Sequence, residues 1–158
     1  MHVRPGTPAD LESLRALIDS IENFTADENE VALELVELAV RTAPAEPADY
    51  ELLVAEEEGA LAGYVCYGPT PMTAATWDLY WIASSPRFRG KGAGSMLLLA
   101  MEDDIRRRGG EQVRIETSSM GEYAQTRAFY DRHAYPLASR LSDFYKPGDD
   151  LVTLFKHL

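Results

Sequence analysis

The most informative part of the sequence is Ser84-Ser85-Pro86-Arg87-Phe88-Arg89-Gly90-Lys91-Gly92-Ala93-Gly94, which lies between a predicted strand and a predicted helix. Glycines alternate with other residues at its end. Glycine lets backbone N–H groups approach an anion closely, and the helix that follows adds the positive end of its dipole. The pattern therefore predicts an anion site of the kind that binds phosphate.

The charge of this segment is opposite to that of the whole chain. Arg87, Arg89 and Lys91 are three cations within five residues, whereas the 158-residue chain has 15 Lys and Arg against 26 Asp and Glu, a net charge of −11. This contrast favours an anion site over a glycine-rich turn with merely solvated cations. A mononucleotide P-loop fits poorly because Gly92, not Ser or Thr, follows Lys91. A dinucleotide fingerprint needs a parallel βαβ unit, which the hairpins predicted before the segment argue against.

The rest of the chain divides into regular elements around this segment. Thr7 and Thr25 are predicted N-caps of two amphipathic helices with apolar stripes at Leu11, Leu14, Ile18 and Ile21 and at Val31, Leu35 and Leu38. After them we predict strands at 50–56, 61–67 and 76–83, a helix at 93–108, a strand at 113–117, a helix at 124–133 and a hairpin turning at 147–150. With a first strand at 3–4, the order β α α β β β α β α β β indicates an α+β or mixed α/β domain.

Length and composition narrow the functional classes. The length suits one domain that can bury a core without disulfides, and Cys66 is interpreted as a small apolar residue within a strand rather than a nucleophile. The longest strongly apolar run, 96–101, is far shorter than the roughly 18 residues of a spanning helix. We expect a soluble cytoplasmic protein without nucleic-acid or membrane partners, since its net charge repels phosphate backbones. The acidity weakly favours a cationic substrate.

Arg87, Gly90 and Gly92 match a pattern of Arg or Gln, two residues, Gly, one residue, then Gly or Ala. With this motif, the element order and the pair Phe129-Tyr130, the sequence resembles the GNAT superfamily of acyl-CoA-dependent N-acyltransferases. The resemblance covers 1–158 as a single N-acetyltransferase domain. It implies a mostly antiparallel sheet of about seven strands with about four helices, in which the 76–83 and 113–117 strands splay apart to form a cleft for acetyl-CoA.

The resemblance also implies which residues bind the cofactor. Amides of the loop from Arg89 to Gly94 would bind the pyrophosphate, the pantetheine would pair with strand backbone near Ile82 and Ser84, and an N–H of Trp81 or Ile82 would stabilise the oxyanion. The full predicted set is Ile82, Ala83, Ser84, Arg87, Phe88, Arg89, Gly90, Lys91, Gly92, Ala93, Gly94, Ser95 and Thr126.

The sequence departs from the family pattern near the last helix. Tyr123 stands where many relatives have Asn, and Ala134-Tyr135 where many have Gly-Phe. Because that Asn usually helps to hold CoA, Thr126 and Arg127, or the pair 118–119, are candidates to compensate.

Three residues are predicted to be catalytic. Tyr130 matches the family tyrosine that protonates the leaving thiolate, although a buried Tyr can also serve only the core. A carboxylate is needed to take a proton from the ammonium form of the acceptor, directly or through water, and Asp78 and Glu116 are the candidates, unless they merely face solvent. We place Asp78 on the same strand face as Tyr80 and Ile82.

The acceptor side is less defined by the sequence. Trp77, Tyr80 and Trp81 either shape an acceptor pocket or belong to the core, and Tyr145 is a candidate wall residue. The His residues lack ligand spacing, so no metal is predicted.

The sequence thus predicts an acetyl-CoA-dependent N-acetyltransferase that acts by direct attack in a ternary complex on the primary amine of a small molecule or peptide. One alternative is a non-catalytic acyl-CoA-binding regulatory module, and a second is a nucleotide-binding protein that uses the same loop. Such folds often pair as dimers, so we expect that the chain can form a homodimer.

Overall fold

One seven-stranded sheet organises the chain in the computed structural model, which describes residues 1–21, 25–42 and 49–158. The strands are β1 (His2–Pro5), β2 (Glu51–Glu57), β3 (Ala60–Pro69), β4 (Thr76–Ser84), β5 (Gln112–Ser118), β6 (Leu137–Lys146) and β7 (Asp149–His157). The helices are α1 (Leu11–Asp19), α2 (Ala26–Thr42), α3 (Ala93–Arg107) and α4 (Ala124–Arg132). The predicted mixed α/β class with about seven strands and four helices is confirmed.

The strand order is β1-β2-β3-β4-β5-β7-β6. Neighbouring strands are antiparallel except β4 and β5, which are parallel. The β2–β3 hairpin turns at Glu58 and Gly59, both at positive φ, as predicted. The last hairpin turns at Pro147 and Gly148 alone, because Asp149 already belongs to β7 and pairs with Lys146; the predicted turn at 147–150 was too long.

Two apolar clusters cover the two faces of the sheet. On one face, Leu97, Met101 and Ile105 of α3 pack with residues that include Leu79 and Ile115 of the sheet. On the other, Leu14 and Ile18 of α1 and Val36 of α2 pack against residues that include Val54 and Cys66. Cys66 is fully buried within β3, which confirms its predicted place in a strand.

The predicted apolar stripe of α2 is wrong in part. Its buried residues are Ala32, Val36, Ala39 and Val40, while Val31 and Leu38 are 48% and 39% exposed. These buried side chains are small or β-branched, which allows α2 to lie close to its neighbours. The orientation of α2 is therefore set by how closely these side chains pack, not by its largest apolar residues. The predicted cap holds, since the Thr25 N–H donates to Glu28 Oε2 at 2.7 Å and the Glu28 N–H donates to Thr25 Oγ1 at 3.2 Å.

A bulge in β4 positions the cleft. Cys66 pairs with Trp81 and Tyr67 pairs with Leu79, so Tyr80 is an extra residue on β4. A bulge bends its strand and increases the local twist. β4 and β5 pair from Thr76–Gln112 to Leu79–Ile115 and then separate, which gives the splayed pair that the resemblance implied.

The bulge also reverses which face the side chains occupy. Trp77 and Leu79 before it and Ile82 after it pack with the α3 cluster, whereas Trp81 and Ala83 pack with the α1–α2 cluster. The prediction that Ile82 shares a face with Tyr80 is therefore wrong, because one inserted residue inverts the two-residue alternation of a strand.

Candidate active site

A cleft of about 1030 Å³ opens where β4 and β5 separate. Its walls come from both separated strands, from α2 and α4, and from the β6–β7 hairpin. Tyr80, Trp81 and Tyr145 line it, which agrees with the acceptor-pocket interpretation of these residues. Trp77 instead belongs to the α3 core cluster.

The predicted anion loop follows directly after β4. Pro86–Phe88 forms a short 3-10 turn, and Phe88 is buried at 3% exposure, so its side chain anchors the loop rather than facing a ligand. Gly90 and Gly92 have φ of 78° and 86°, in the left-handed region that glycine adopts without cost. A Cβ at either position would meet nothing within 4 Å, so the space beside both glycines is open.

The loop supplies free N–H groups at the start of α3. Within the described part of the chain, the amides of Gly90, Gly92, Ala93, Gly94 and Ser95 have no hydrogen-bond acceptor. The first N–H groups of a helix lack partners within it and carry its positive partial charge. The N–H groups of Arg89 and Lys91 already donate to Pro86 and Phe88 carbonyls, at 3.3 and 3.2 Å. Within the predicted loop from Arg89 to Gly94, the amides still open to an anion are therefore those of Gly90, Gly92, Ala93 and Gly94.

The same loop carries three exposed cations. The Arg87 guanidinium and the Lys91 ammonium lie 5.1 and 5.2 Å from the centre of the Phe88 ring. Neither these two nor Arg89 forms a salt bridge with any residue the structure describes. The open backbone, the helix end and the unneutralised side chains together fit the diphosphate of a CoA carrier.

The other predicted cofactor residues differ in their surroundings. Ile82 and Thr126 line the cleft, and Ala83 and Ser84 are half-buried at the end of β4. The Ser95 hydroxyl lies 2.9 Å from Nε2 of His133, the residue that follows α4, so the Ser95 side chain is engaged even though its amide is free.

Tyr130 lies in the wall of the cleft at 3% exposure. The rings of Phe129 and Tyr135 pack edge-on against it, with centroids 5.3 and 5.9 Å away. Burial raises the pKa of the Tyr130 phenol, which therefore keeps its proton at neutral pH. In the described part of the chain nothing hydrogen-bonds this hydroxyl. The group holds a proton and has room for a partner in the cleft.

The two candidate carboxylates are in different states. Asp78 is 6% exposed, and both its oxygens are occupied: Arg114 donates to them at 2.7 and 3.1 Å and the Thr70 hydroxyl donates to Oδ2 at 2.8 Å. Glu116 also lines the cleft but is exposed, with Arg114 no closer than 3.9 Å. Only Glu116 of the two has a carboxylate open to the cleft.

Comparison with known proteins agrees with this arrangement. A family model described as Acetyltransferase (GNAT) family matches residues 15–135. A Desulfovibrio desulfuricans protein assigned to the GNAT family is 37% identical over 99% of this chain and 98% of its own, with a TM-score of 0.92. The chain belongs to the GNAT acetyltransferase family.

Two more distant structures share the fold of this GNAT protein. An aminoglycoside 6'-N-acetyltransferase complexed with coenzyme A has a TM-score of 0.76 at 16% identity, covering 99% of this chain and 97% of that one. A Salmonella typhimurium structure with its cofactor acetyl-CoA has a TM-score of 0.75 at 20% identity, covering 100% and 94%. Among curated proteins, none matches. The cofactor of the GNAT protein is acetyl-CoA, as predicted.

Tyr123, at the position where the GNAT pattern has Asn, makes a contact across the cleft. The Tyr123 hydroxyl donates to Glu28 Oε1 at 3.0 Å, so the start of α4 is joined to α2 across the cleft. Arg127, a candidate to compensate, instead donates to the carbonyls of Ser118 and Met120 at 2.7 and 2.9 Å. Its charge therefore holds the end of β5 in place.

Asp149 is a cleft residue that was not predicted from the sequence. Asp149 lines the cleft at 7% exposure, and its Oδ1 accepts a hydrogen bond from the Ser118 hydroxyl. In the sequence it lies within Pro-Gly-Asp-Asp, which was predicted to be a turn, and Asp is common in turns for local structural reasons. A two-residue turn puts Asp149 at the start of a strand, so the length of the turn is the sequence feature that could have identified it.

Two general properties complete the description. In the ranges 1–21, 25–42 and 49–158, no helix has the length and apolarity needed to cross a bilayer. Over the same ranges, no three His, Cys, Asp or Glu side chains come together as a metal site would require.

Proposed function

We propose that this chain, as one N-acetyltransferase domain over 1–158, transfers the acetyl group of acetyl-CoA to a primary amine by direct attack within a ternary complex. The observation that carries the proposal is the free N-terminal end of α3 beside the separated strands β4 and β5. It pairs an anion cradle with a cleft whose wall contains a buried, protonated phenol.

The cofactor would be held mainly by the backbone of the loop. The amides of Gly90, Gly92, Ala93, Gly94 and Ser95 would donate to its phosphates, with added attraction from the loop cations Arg87, Arg89 and Lys91. Backbone of 82–84 and Thr126 would flank the remainder, and Phe88 keeps the loop in shape. Acetyl-CoA, when bound, supplies a thioester whose acetyl group is the one transferred.

Tyr130 and Glu116 would handle the protons. Tyr130 Oη would supply the proton that a departing thiolate needs, since the phenol is protonated at neutral pH. An acceptor ammonium with a pKa of about 10 must lose a proton before its nitrogen can attack. The open carboxylate of Glu116 would accept that proton through water. Asp78 would hold Arg114, since both its oxygens are already occupied.

The state of Cys66 supports direct attack over an acyl-enzyme. Burial raises the pKa of its thiol to about 12, so the nucleophilic thiolate is scarce at neutral pH. Cys66 also packs with the α1–α2 cluster and is not a residue of the cleft. No other cysteine is present in the chain.

The test is acetyl-CoA-dependent thiol release with a panel of primary amines, combined with thermal shifts in acetyl-CoA, ATP and NADP. We expect turnover on at least one amine and stabilisation by acetyl-CoA alone. Stabilisation by acetyl-CoA without turnover on any amine would favour the binding-module alternative. Equal stabilisation by ATP or NADP would favour nucleotide binding. Double-reciprocal plots that intersect support a ternary complex, and parallel ones would overturn it.

A further inference from the structure

The cleft is acidic in its interior as well as at its rim. Among the described residues that line it are six carboxylates and two cations: Asp27, Glu28, Asp78, Glu116, Glu122 and Asp149 against Arg114 and Lys146. Asp78 and Arg114 neutralise each other at 2.7 Å. The remaining five carboxylates face one lysine, so the potential in the cleft is negative.

Asp149 is the buried member of this group without a cationic partner. It is 7% exposed, and no Lys, Arg or His of the described chain lies within salt-bridge distance of it. Only its Oδ1 receives a hydrogen bond from a side chain, that of Ser118. A buried carboxylate is costly unless it is paired. A cation that entered the cleft would pair with it.

The negative charge of the cleft also acts on a tyrosine of its wall. Burial raises the pKa of the Tyr145 phenol, and the charges of Glu116, Asp149 and Glu28 raise it further. These carboxylates come from β5, β7 and α2, so three elements direct negative charge toward one phenol. Tyr130 supplies an independent sign of a ligand, because the residue is 3% exposed, lines the same cleft, and has a hydroxyl without a hydrogen-bond partner within the described chain.

Part of the wall is apolar. Val31 is 48% exposed on α2, although it is a large aliphatic residue, and it lines the cleft together with Leu35 and Trp81. An acceptor that fits this surface combines positive charge with hydrocarbon. Such a ligand satisfies the carboxylates and covers the exposed side chain of Val31.

We propose that the acceptor is an amine with at least two positive charges on an aliphatic chain, a diamine or polyamine, and that Asp149 binds the charge remote from the reacting nitrogen. This inference rests on the proposed function. Asp149 is then a specificity-determining residue, while Tyr130 and Glu116 serve the reacting end.

The test compares kcat/KM for thiol release with putrescine, butylamine and γ-aminobutyrate. The three share one carbon-chain length and differ at the far end, which is cationic, neutral or anionic. We expect putrescine to exceed butylamine by about tenfold or more and γ-aminobutyrate to be the poorest. The ratio of putrescine to butylamine should fall as salt is raised.

Asp149→Asn tests the anchor, since Asn keeps the shape and can still accept from Ser118. We expect the ratio of kcat/KM for putrescine to that for butylamine to fall by about tenfold, mainly because KM for putrescine rises. Glu122→Gln should lower this ratio by a smaller factor. Because Glu122 lies at the exposed rim, the change should not disturb folding. Glu111→Gln removes one charge outside the cleft and should leave it unchanged.

Two outcomes overturn the inference in distinguishable ways. Turnover on both amines with equal kcat/KM, or a ratio unaffected by both Asp149→Asn and Glu122→Gln, refutes the diamine assignment and leaves the proposed function intact. No turnover on any amine refutes the proposed function itself.

Discussion

Arg114 donates from Nε and Nη2 to the two oxygens of Asp78 at 2.7 and 3.1 Å, across the next-to-last residue pair before β4 and β5 separate. The ion pair is bidentate, and its carboxylate is 6% exposed. It therefore joins the two strands where the cleft begins. Asp78 was a candidate base from the sequence, and this contact is the reason that we propose a structural role for it instead.

Asp78→Asn and Glu116→Gln should separate these roles. Asp78→Asn should lower the free energy of unfolding by about 1–2 kcal/mol. The cost is smaller than for a fully buried ion pair because the Arg114 side chain is 40% exposed. Its kcat should change little. Glu116→Gln should leave stability nearly unchanged but lower kcat at least about tenfold. Loss of kcat in Asp78→Asn, with loss of only stability in Glu116→Gln, would make Asp78 the base.

Tyr130→Phe should lower kcat by about two orders of magnitude, because the phenol proton is lost while the ring and its packing remain. The affinity for acetyl-CoA, measured by calorimetry, should change little. An unchanged kcat would mean that Tyr130 serves only the core.

Tyr64→Phe is the matched control. The Tyr64 hydroxyl is buried and has no hydrogen-bond partner in the part of the chain that the structure describes, and the ring packs in the α1–α2 cluster, away from the cleft. Removing it should stabilise the protein by about 1 kcal/mol, since an unsatisfied polar group is removed from the core. Activity should be unaffected. Urea unfolding and the amine assay measure the two effects.

Gly92→Asp should weaken acetyl-CoA binding far more than it affects folding. It introduces a negative charge beside the free amides of α3, in space that is open in the structure. Gly92→Asn is the control, because Asn pays a similar cost for the positive φ but carries no charge. We expect the Kd of the Asp variant to exceed that of the Asn variant by about tenfold. Similar Kd values for both variants would remove the electrostatic argument for the loop.

Asp10 should make stability depend on pH. Hydrogen bonds from Arg4, opposed by burial and assisted by Thr7, lower the pKa of Asp10 from 3.8 to about 2. A carboxyl whose pKa is lower in the folded state stabilises above its unfolded pKa, and that contribution is lost as pH falls from about 4 through 2. Asp10→Asn should therefore cost about 2 kcal/mol at neutral pH and almost nothing near pH 2. Urea unfolding at both pH values measures the difference; equal costs would contradict it.

Much of the fold could be predicted because local signals agree with it. Turn residues at Glu58-Gly59, caps at Thr7 and Thr25 and the glycine loop all specify structure through neighbouring residues alone. The loop that we propose to hold the cofactor could be predicted for the same reason, since its free amides and cations are continuous in sequence.

What the sequence could not predict depends on distant contacts. The bulge at Tyr80 follows from the register between β3 and β4, so the face of Ile82 was assigned wrongly. The buried state of Asp78 depends on Arg114, 36 residues away. The orientation of α2 depends on how its small residues fit the sheet, which left Val31 exposed at the cleft.

The single extra residue in β4 places a limit on how this gene can vary in length. Deleting Tyr80 would let β3 and β4 run in simple register and allow β4 to continue beside β5. The chain would still contain the loop, Tyr130 and the carboxylates. A substitution leaves the number of residues in β4 unchanged, but loss of one codon here should close the gap between the strands and leave a sheet with no room for substrates.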